Sequence, residues 1–213
     1  MTEETKHIYL ISAGTIEKYT PIYDTKRSIP PTDYYDVGYG RGKPIDMKGK
    51  RLVFELEKVK TAADEKKLRS YDVLEGGPGM LLIVNDAIMN CMSHLVDKDI
   101  QVLPAEIYTQ NGLVEGFHLI DVIAVVQGVD QQRSTYYTYN DGDKSLDKLV
   151  PKNEDFMEGH EIAREFEQKG NIYIIPSLRE KILKTKKGKL KGIDLWTAKE
   201  DWEAGHNIER CPY

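Results

Sequence analysis

A histidine and a glutamate at the head of an apolar helical pattern are the first place to look for chemistry. His160-Glu161-Ile162-Ala163-Arg164 opens in that way, like the helix of a zinc protease. The second imidazole would have to stand four residues after His160, where Arg164 cannot ligate a cation, so the pattern lacks its metal set. His7, His94, His118 and His206 lie far apart, with no Cys or carboxylate at ligand spacing. Two glycine-rich stretches, Gly38-Tyr39-Gly40-Arg41-Gly42 and Gly76-Gly77-Pro78-Gly79, have neither the spacing nor the strand-to-helix setting of a phosphate-binding loop. No Gly-x-Ser-x-Gly elbow is present. Cys91 falls on the apolar side of its helix, where a thiol behaves as a small hydrophobe. Acidic pairs such as Glu154 and Asp155 read as a solvated face in preference to a glycosidase dyad. The residues thus offer no catalytic, metal or cofactor set, and Asp121 and Asp130 are the first suspects for any bond-making role.

The charge balance narrows the partners. Thirty Lys and Arg against 35 Asp and Glu leave a net charge of -5, which excludes a general nucleic-acid binder, because phosphate contacts need a cationic excess. It suits a basic protein partner. The lysines of the stretch 179–191 have no aromatic residues between them for stacking bases, so this stretch reads as a solvated helix end. Two widely separated cysteines, Cys91 and Cys211, fit a reducing compartment. The charged opening Met1 to Lys6 lacks the form of a signal peptide or a membrane span. The expectation is a cytoplasmic protein.

The elements that would position any site centre on Met80 to Val126. Leu81 to Val84 reads as an apolar strand, and Asn85 as the cap of a helix that places Ile88, Met92, Leu95 and Val96 on one face. Ile100 to Tyr108 reads as a strand, Asn111-Gly112 as a tight turn, and Leu113 to Val126 as a second long strand with apolar residues on both faces. Asp121 inside that run must be hydrogen-bonded, paired or near the sheet edge. Around this centre, His7 to Ile11, Leu52 to Leu56, Ile172 to Ile175 and Gly192 to Trp196 read as strands. Tyr19 to Lys50 is rich in Pro and Gly and reads as an irregular surface segment. Ala62 to Leu68 is a short helix or a charged loop. Phe156, Ala163 and Phe166 have helical spacing, ended by Gly170, and Ser177 with Glu180 has the spacing of a capping box. Asn171 to Leu183 repeats the strand, cap and helix logic of Leu81 to Leu95. The expected fold is α+β, a mixed or antiparallel central sheet with a few flanking helices in two lobes sharing a core. The break at Glu75 to Gly79 divides an N-terminal lobe, 1–79, from a C-terminal one, 80–213.

From Met80 to Trp196 the order of these features resembles a family of bacterial immunity proteins for polymorphic toxins, the myxobacterial-type immunity domain. The residues that carry the likeness are Leu81-Leu82-Ile83-Val84 through Leu95, Ile100 to Ile107, Leu119-Ile120-Asp121-Val122, Val129-Asp130 with Ser134, Asn171 to Ile175, and Lys191-Gly192-Ile193. The resemblance implies a non-catalytic cytoplasmic α+β protein, without cofactor or metal, whose partner is a cognate secreted toxin held in a stoichiometric complex. Tyrosine gives large contact area at small entropic cost, so Tyr34, Tyr35, Tyr39, Tyr136 and Tyr137 are the candidate partner-binding residues, with Asp141 and Asp143 steering a basic toxin. Packing of a loop onto the core is the competing explanation of the tyrosines. The competing function is an enzyme that reverses a toxin's modification of its target.

Overall fold

The computed structural model describes residues 8–13, 17–29, 31, 40–76, 81–139, 144–152, 155–185 and 189–197. In chain order these form β1 (Tyr9–Ala13), β2 (Ile22–Tyr23), β3 (Leu52–Glu55), α1 (Ala62–Leu68), β4 (Val73–Glu75), β5 (Leu82–Asn85) and α2 (Asp86–Met92). They continue with β6 (Ile100–Leu103), β7 (Ala105–Thr109), β8 (Gly112–Leu113), β9 (Phe117–Val122), β10 (Val125–Val126), β11 (Thr135–Thr138) and β12 (Lys144–Lys148). The last elements are β13 (Ile162–Glu165), β14 (Ile172–Ile174), α3 (Pro176–Thr185) and β15 (Ile193–Thr197). The fold is α+β. Its strands make sheets of order β10-β13-β14-β1-β15, β4-β5-β9-β6 and β2-β3-β7-β8, and a separate ribbon β11-β12.

Local signals start the helices where they stand. Thr61 accepts from the Asp64 backbone N–H while Asp64 receives the Thr61 N–H, a capping box that makes α1 a helix. The Asn85 side chain accepts from Ile88 N–H at 3.0 Å and its amide donates to Asp72 Oδ1 at 2.8 Å, so the cap of α2 is itself pinned to β4. In α3, Pro176 occupies the first helical position, where its missing N–H is harmless, and the Ile175 carbonyl accepts from Arg179 N–H at 3.1 Å. Ser177 therefore lies inside the helix, two residues beyond the capping position that Ile175 occupies.

Two sheets carry the same plan. In β4-β5-β9-β6 every neighbouring pair is antiparallel and α2 follows β5. In β13-β14-β1-β15 every pair is again antiparallel and α3 follows β14. The strand, cap and helix recurrence in the sequence is the trace of this structural duplication. The two copies differ in connectivity: β9 comes after β6, whereas its counterpart β1 comes first in the chain. Residues from both sheets and both helices, among them Val84, Ile88, Met92, Ile120, Ile172, Leu178, Ile182 and Leu195, form one apolar cluster. At roughly 1.5–3 kcal/mol for each large aliphatic side chain buried, this shared core dominates stability.

Three expectations from the sequence change. Ile100 to Tyr108 is two strands, because Pro104 has no N–H for a ladder; β6 pairs with β9 while β7 pairs with β3 in another sheet. The run 113–126 is likewise divided into β8, β9 and β10: Gly116 turns at φ +85°, and the Ile123 and Ala124 N–H groups both donate to the Asp99 carbonyl. The helix expected from Phe156 to Phe166 is absent. Glu158 and Gly159 take positive φ, 51° and 84°, which ends any helix there, and the next residues form β13. Ile162, Ala163, Arg164 and Glu165 are all fully buried, so two charged residues that imply a solvent face are interior instead.

One of those charges joins the duplicated sheets. Arg164 on β13 donates from Nη2 to Asp121 Oδ1 of β9 at 2.9 Å, from Nε to the Val122 carbonyl at 2.8 Å and from Nη1 to the Lys169 carbonyl at 2.8 Å. Asp121 Oδ2 also accepts from Gly40 N–H at 3.0 Å. Both side chains are wholly buried, and burial pushes the Asp121 carboxyl up, against the opposing pull of the guanidinium. Asp121 is thus paired, as its place in an apolar run required. Replacing Arg164 with Met leaves a buried carboxylate without its countercharge and is expected to cost about 3–5 kcal/mol in urea unfolding. The double variant Arg164→Met/Asp121→Leu removes that orphan and is expected to recover a substantial part. A single variant as stable as the original protein would contradict the role of the pair.

Candidate functional site

Among the described residues the ribbon of β11 and β12 pairs with no other sheet, and its base is fixed by local polar contacts. Asp130 Oδ1 accepts from the Gln132 and Arg133 N–H groups, and Oδ2 receives Arg133 Nε at 2.6 Å, while Arg133 Nη2 reaches the Pro151 carbonyl at 2.7 Å. Ser134 Oγ accepts from Val150 N–H at 3.0 Å. Alternation along β11 then sends Tyr136 inward and Tyr137 outward. Tyr136 packs against the cluster of Leu10, Phe156 and Tyr173, whereas Tyr137 is 55 % exposed, with Tyr139 edge-on at 4.9 Å.

Between this ribbon and the end of β13 lie two open grooves of about 640 and 580 Å³. They share Gln131 and Glu167 in their walls. The larger is also bounded by Tyr136, Lys144 and Leu146, the smaller by Asp130, Gln132, Lys152 and Glu165. Their walls are amide and carboxylate, suited to hydrogen bonding more than to apolar cargo.

The floor is a carboxylate and phenol network. Glu165 Oε2 accepts from Gly128 N–H at 2.9 Å, Val129 N–H at 3.1 Å and Tyr173 Oη–H at 2.9 Å, and Oε1 accepts from Glu167 N–H at 3.0 Å. Gly128 is required here: a Cβ would stand 2.5 Å from the Phe156 ring. Glu167 accepts from Tyr136 Oη–H at 2.8 Å and from Gln131 Nε2 at 2.6 Å. Burial and the Glu167 carboxylate push the Tyr136 phenol up to about 12. Burial, with Glu165 close by, drives Tyr173 well above the ordinary phenol range.

The sequence brings two of its candidates, Tyr136 and Tyr137, to this place and puts them on opposite faces of one strand. Tyr34, Tyr35, Tyr39, Asp141 and Asp143 lie outside the described residues. Tyr19 and Tyr23, from the same irregular stretch, pack onto the core against Tyr71 and Phe54 at ring distances of 5.0 and 5.6 Å. Asp121 and Asp130 are both paired with arginines, Asp121 with Arg164 in the interior and Asp130 with Arg133 in its own turn. Cys91 is buried in α2, and burial pushes its thiol up. His160 Nδ1 lies 2.7 Å from Oδ1 of buried Asp99, which accepts from it, and Lys98 Nζ ties the neighbouring turn through the Gly159 carbonyl at 2.8 Å. Among the described residues no group of three or more His, Cys, Asp or Glu is placed to hold a metal ion, and no helix is long and apolar enough to cross a membrane. Glu165 and Glu167 escaped the sequence reading because it placed them on a solvated acidic helix. No local pattern marks them, since β13 spans only Ile162–Glu165, all four of its residues are buried and Glu167 lies beyond its end.

Tyr136 sets a pH dependence. Its proton is held to about 12 in the folded chain and leaves near 10 when unfolded, so its stabilising contribution is complete below about pH 10 and is lost as pH rises to about 12. Denaturant unfolding at stepped pH is expected to show that decline, and Tyr136→Phe to make it shallower. An identical decline in the variant would contradict the network. Neither a protein-family model nor a curated protein matches this chain, so what it does must be argued from its own residues and geometry.

Proposed function

We propose that this chain is an immunity protein that binds a cognate secreted toxin and neutralises it in a stoichiometric complex. The observation that carries the reading is the β11-β12 ribbon, held apart from the sheets, with Tyr137 exposed on one face and a polar groove along the other. An anchored ribbon loses little conformational entropy on binding, and an exposed tyrosine adds contact area with few rotamers to fix. The resemblance of the stretch from Met80 to Trp196 to bacterial immunity proteins points the same way. The two carboxylates named for the rival enzymatic reading, Asp121 and Asp130, are each held in an ion pair with an arginine.

Such a protein acts one-to-one. Co-expression with the product of the immediately upstream gene is expected to rescue growth, and the purified pair to elute together in size exclusion. Tyr137→Ser is expected to weaken that complex by about 2 kcal/mol, some thirtyfold, and to shift the stability of the free protein by less than about 0.5 kcal/mol. Separate elution of the unsubstituted pair, or protection that persists far below one equivalent, would contradict the proposal.

A further inference from the structure

The strand pairing of the ribbon stops at two. Among the described residues β12 pairs with β11 alone, so its other side is an edge, along which alternate residues turn N–H and C=O groups away from the ribbon. That edge borders the larger groove. Lys144, Ser145 and Leu146 line it together, with Glu167 and Gln168 also in its wall. The three are consecutive residues of β12, and successive side chains of a strand point to opposite faces, so a single groove meets all three along the edge. An extended chain occupies ~3.3 Å of rise, ~4.8 Å between strands and ~10 Å between faces per residue, so the 640 Å³ of the groove take about four residues, close to the five of β12.

Charge decides which extended chain fits. A second copy of β12 is the first to consider. Antiparallel pairing of two β12 strands about Leu146 sets Lys144 of each against Lys148 of the other, both exposed residues, and like charges directly opposite are destabilising. Lysines on an edge strand are a device against such self-pairing. A different segment with a carboxylate opposite either lysine meets the favourable sign instead.

We propose that the partner toxin contributes an extended segment that lies in this groove as a third strand beside β12, with carboxylates opposite Lys144 and Lys148. This rests on the toxin-binding reading and deepens it, by naming the conformation and charge of the segment that the ribbon recognises. Main-chain hydrogen bonds to the edge of β12 supply affinity, and the two lysines set the register. The edge is formed before the toxin arrives, because the ribbon is anchored at its base through Asp130 and Ser134.

The test is amide exchange read by NMR at each residue of β12, in the free protein and in its complex with the upstream-encoded toxin. In the free protein the amides of Lys144 to Leu146 are expected to alternate, slow where they bond to β11 and fast at the edge. In the complex the fast ones are expected to slow at least tenfold. Proline at the fast position, Ser145→Pro or Leu146→Pro, removes an edge N–H and spares the bonds to β11, and is expected to weaken the complex at least tenfold. Lys144→Glu/Lys148→Glu is expected to weaken it at low salt, and an equal or tighter complex overturns the inference, since the segment opposite would then not be acidic. Edge amides that stay fast in the complex also overturn it and leave toxin binding standing, because contact would run through side chains alone. A free protein that sediments as a dimer, with its edge amides already slow, overturns it in favour of a second copy. Failure of the unsubstituted protein to bind the toxin overturns the wider reading and this one with it.

Discussion

The buried pair of Arg164 and Asp121 is the constraint on which the rest of the structure depends. Two sheets of the same plan share one apolar cluster with the helices α2 and α3. Apolar contact alone tolerates sliding. The guanidinium does not, because it must satisfy Asp121 and two carbonyls at once, Val122 on one sheet and Lys169 beyond β13. A second tie closes the opposite edge. Asp72 receives Lys191 N–H at 3.0 Å, and Gly192, at φ +77°, comes so close to the Val73 carbonyl that any Cβ would overlap it. Register between the halves is thereby fixed at both ends.

That rigidity reaches the candidate site through the strand that carries Arg164. Its neighbour Glu165 points to the other face of β13, where it gathers Gly128, Val129 and Tyr173. One strand therefore locks the sheets with one residue and builds the groove floor with the next. The ribbon beyond it packs Tyr136 and Leu146 onto the cluster of Leu10, Ala163 and Tyr173, and its base is held by the Asp130 turn and Ser134. For the proposed toxin binding, a stiff floor beside an anchored ribbon would meet most of the ordering cost before the complex forms.

Much of this architecture was legible in the sequence, and the failures share a cause. Leu82 to Met92 announces strand and helix because period and the Asn85 cap agree, and Ile172 to Thr185 does so by period and by Pro176 at the first helical position, its cap being apolar Ile175. Long strands were overextended where a single residue redirects the chain, as Pro104 and Gly116 do, since an apolar run looks the same whether it serves one sheet or two. β13 was misread because its Arg and Glu are buried, and burial of charge is a property of partners distant in sequence: Asp121 is 43 residues from Arg164. The groove was hidden for the same reason. Tyr136 and Tyr137 were legible as candidate interface tyrosines, but the strand that carries them was not, and only its pleat decides that one anchors the floor and the other faces outward.

Amide hydrogen exchange of the protein alone and bound to the upstream-encoded toxin tests the central claim most directly, because it maps the contact without substituting any residue. Slowed exchange concentrated in Thr135 to Thr138, Lys144 to Lys148 and Phe166 to Gln168, with the core strands unchanged, is the predicted result. Slowed exchange confined to another face, with these segments exchanging as in the free protein, would contradict it.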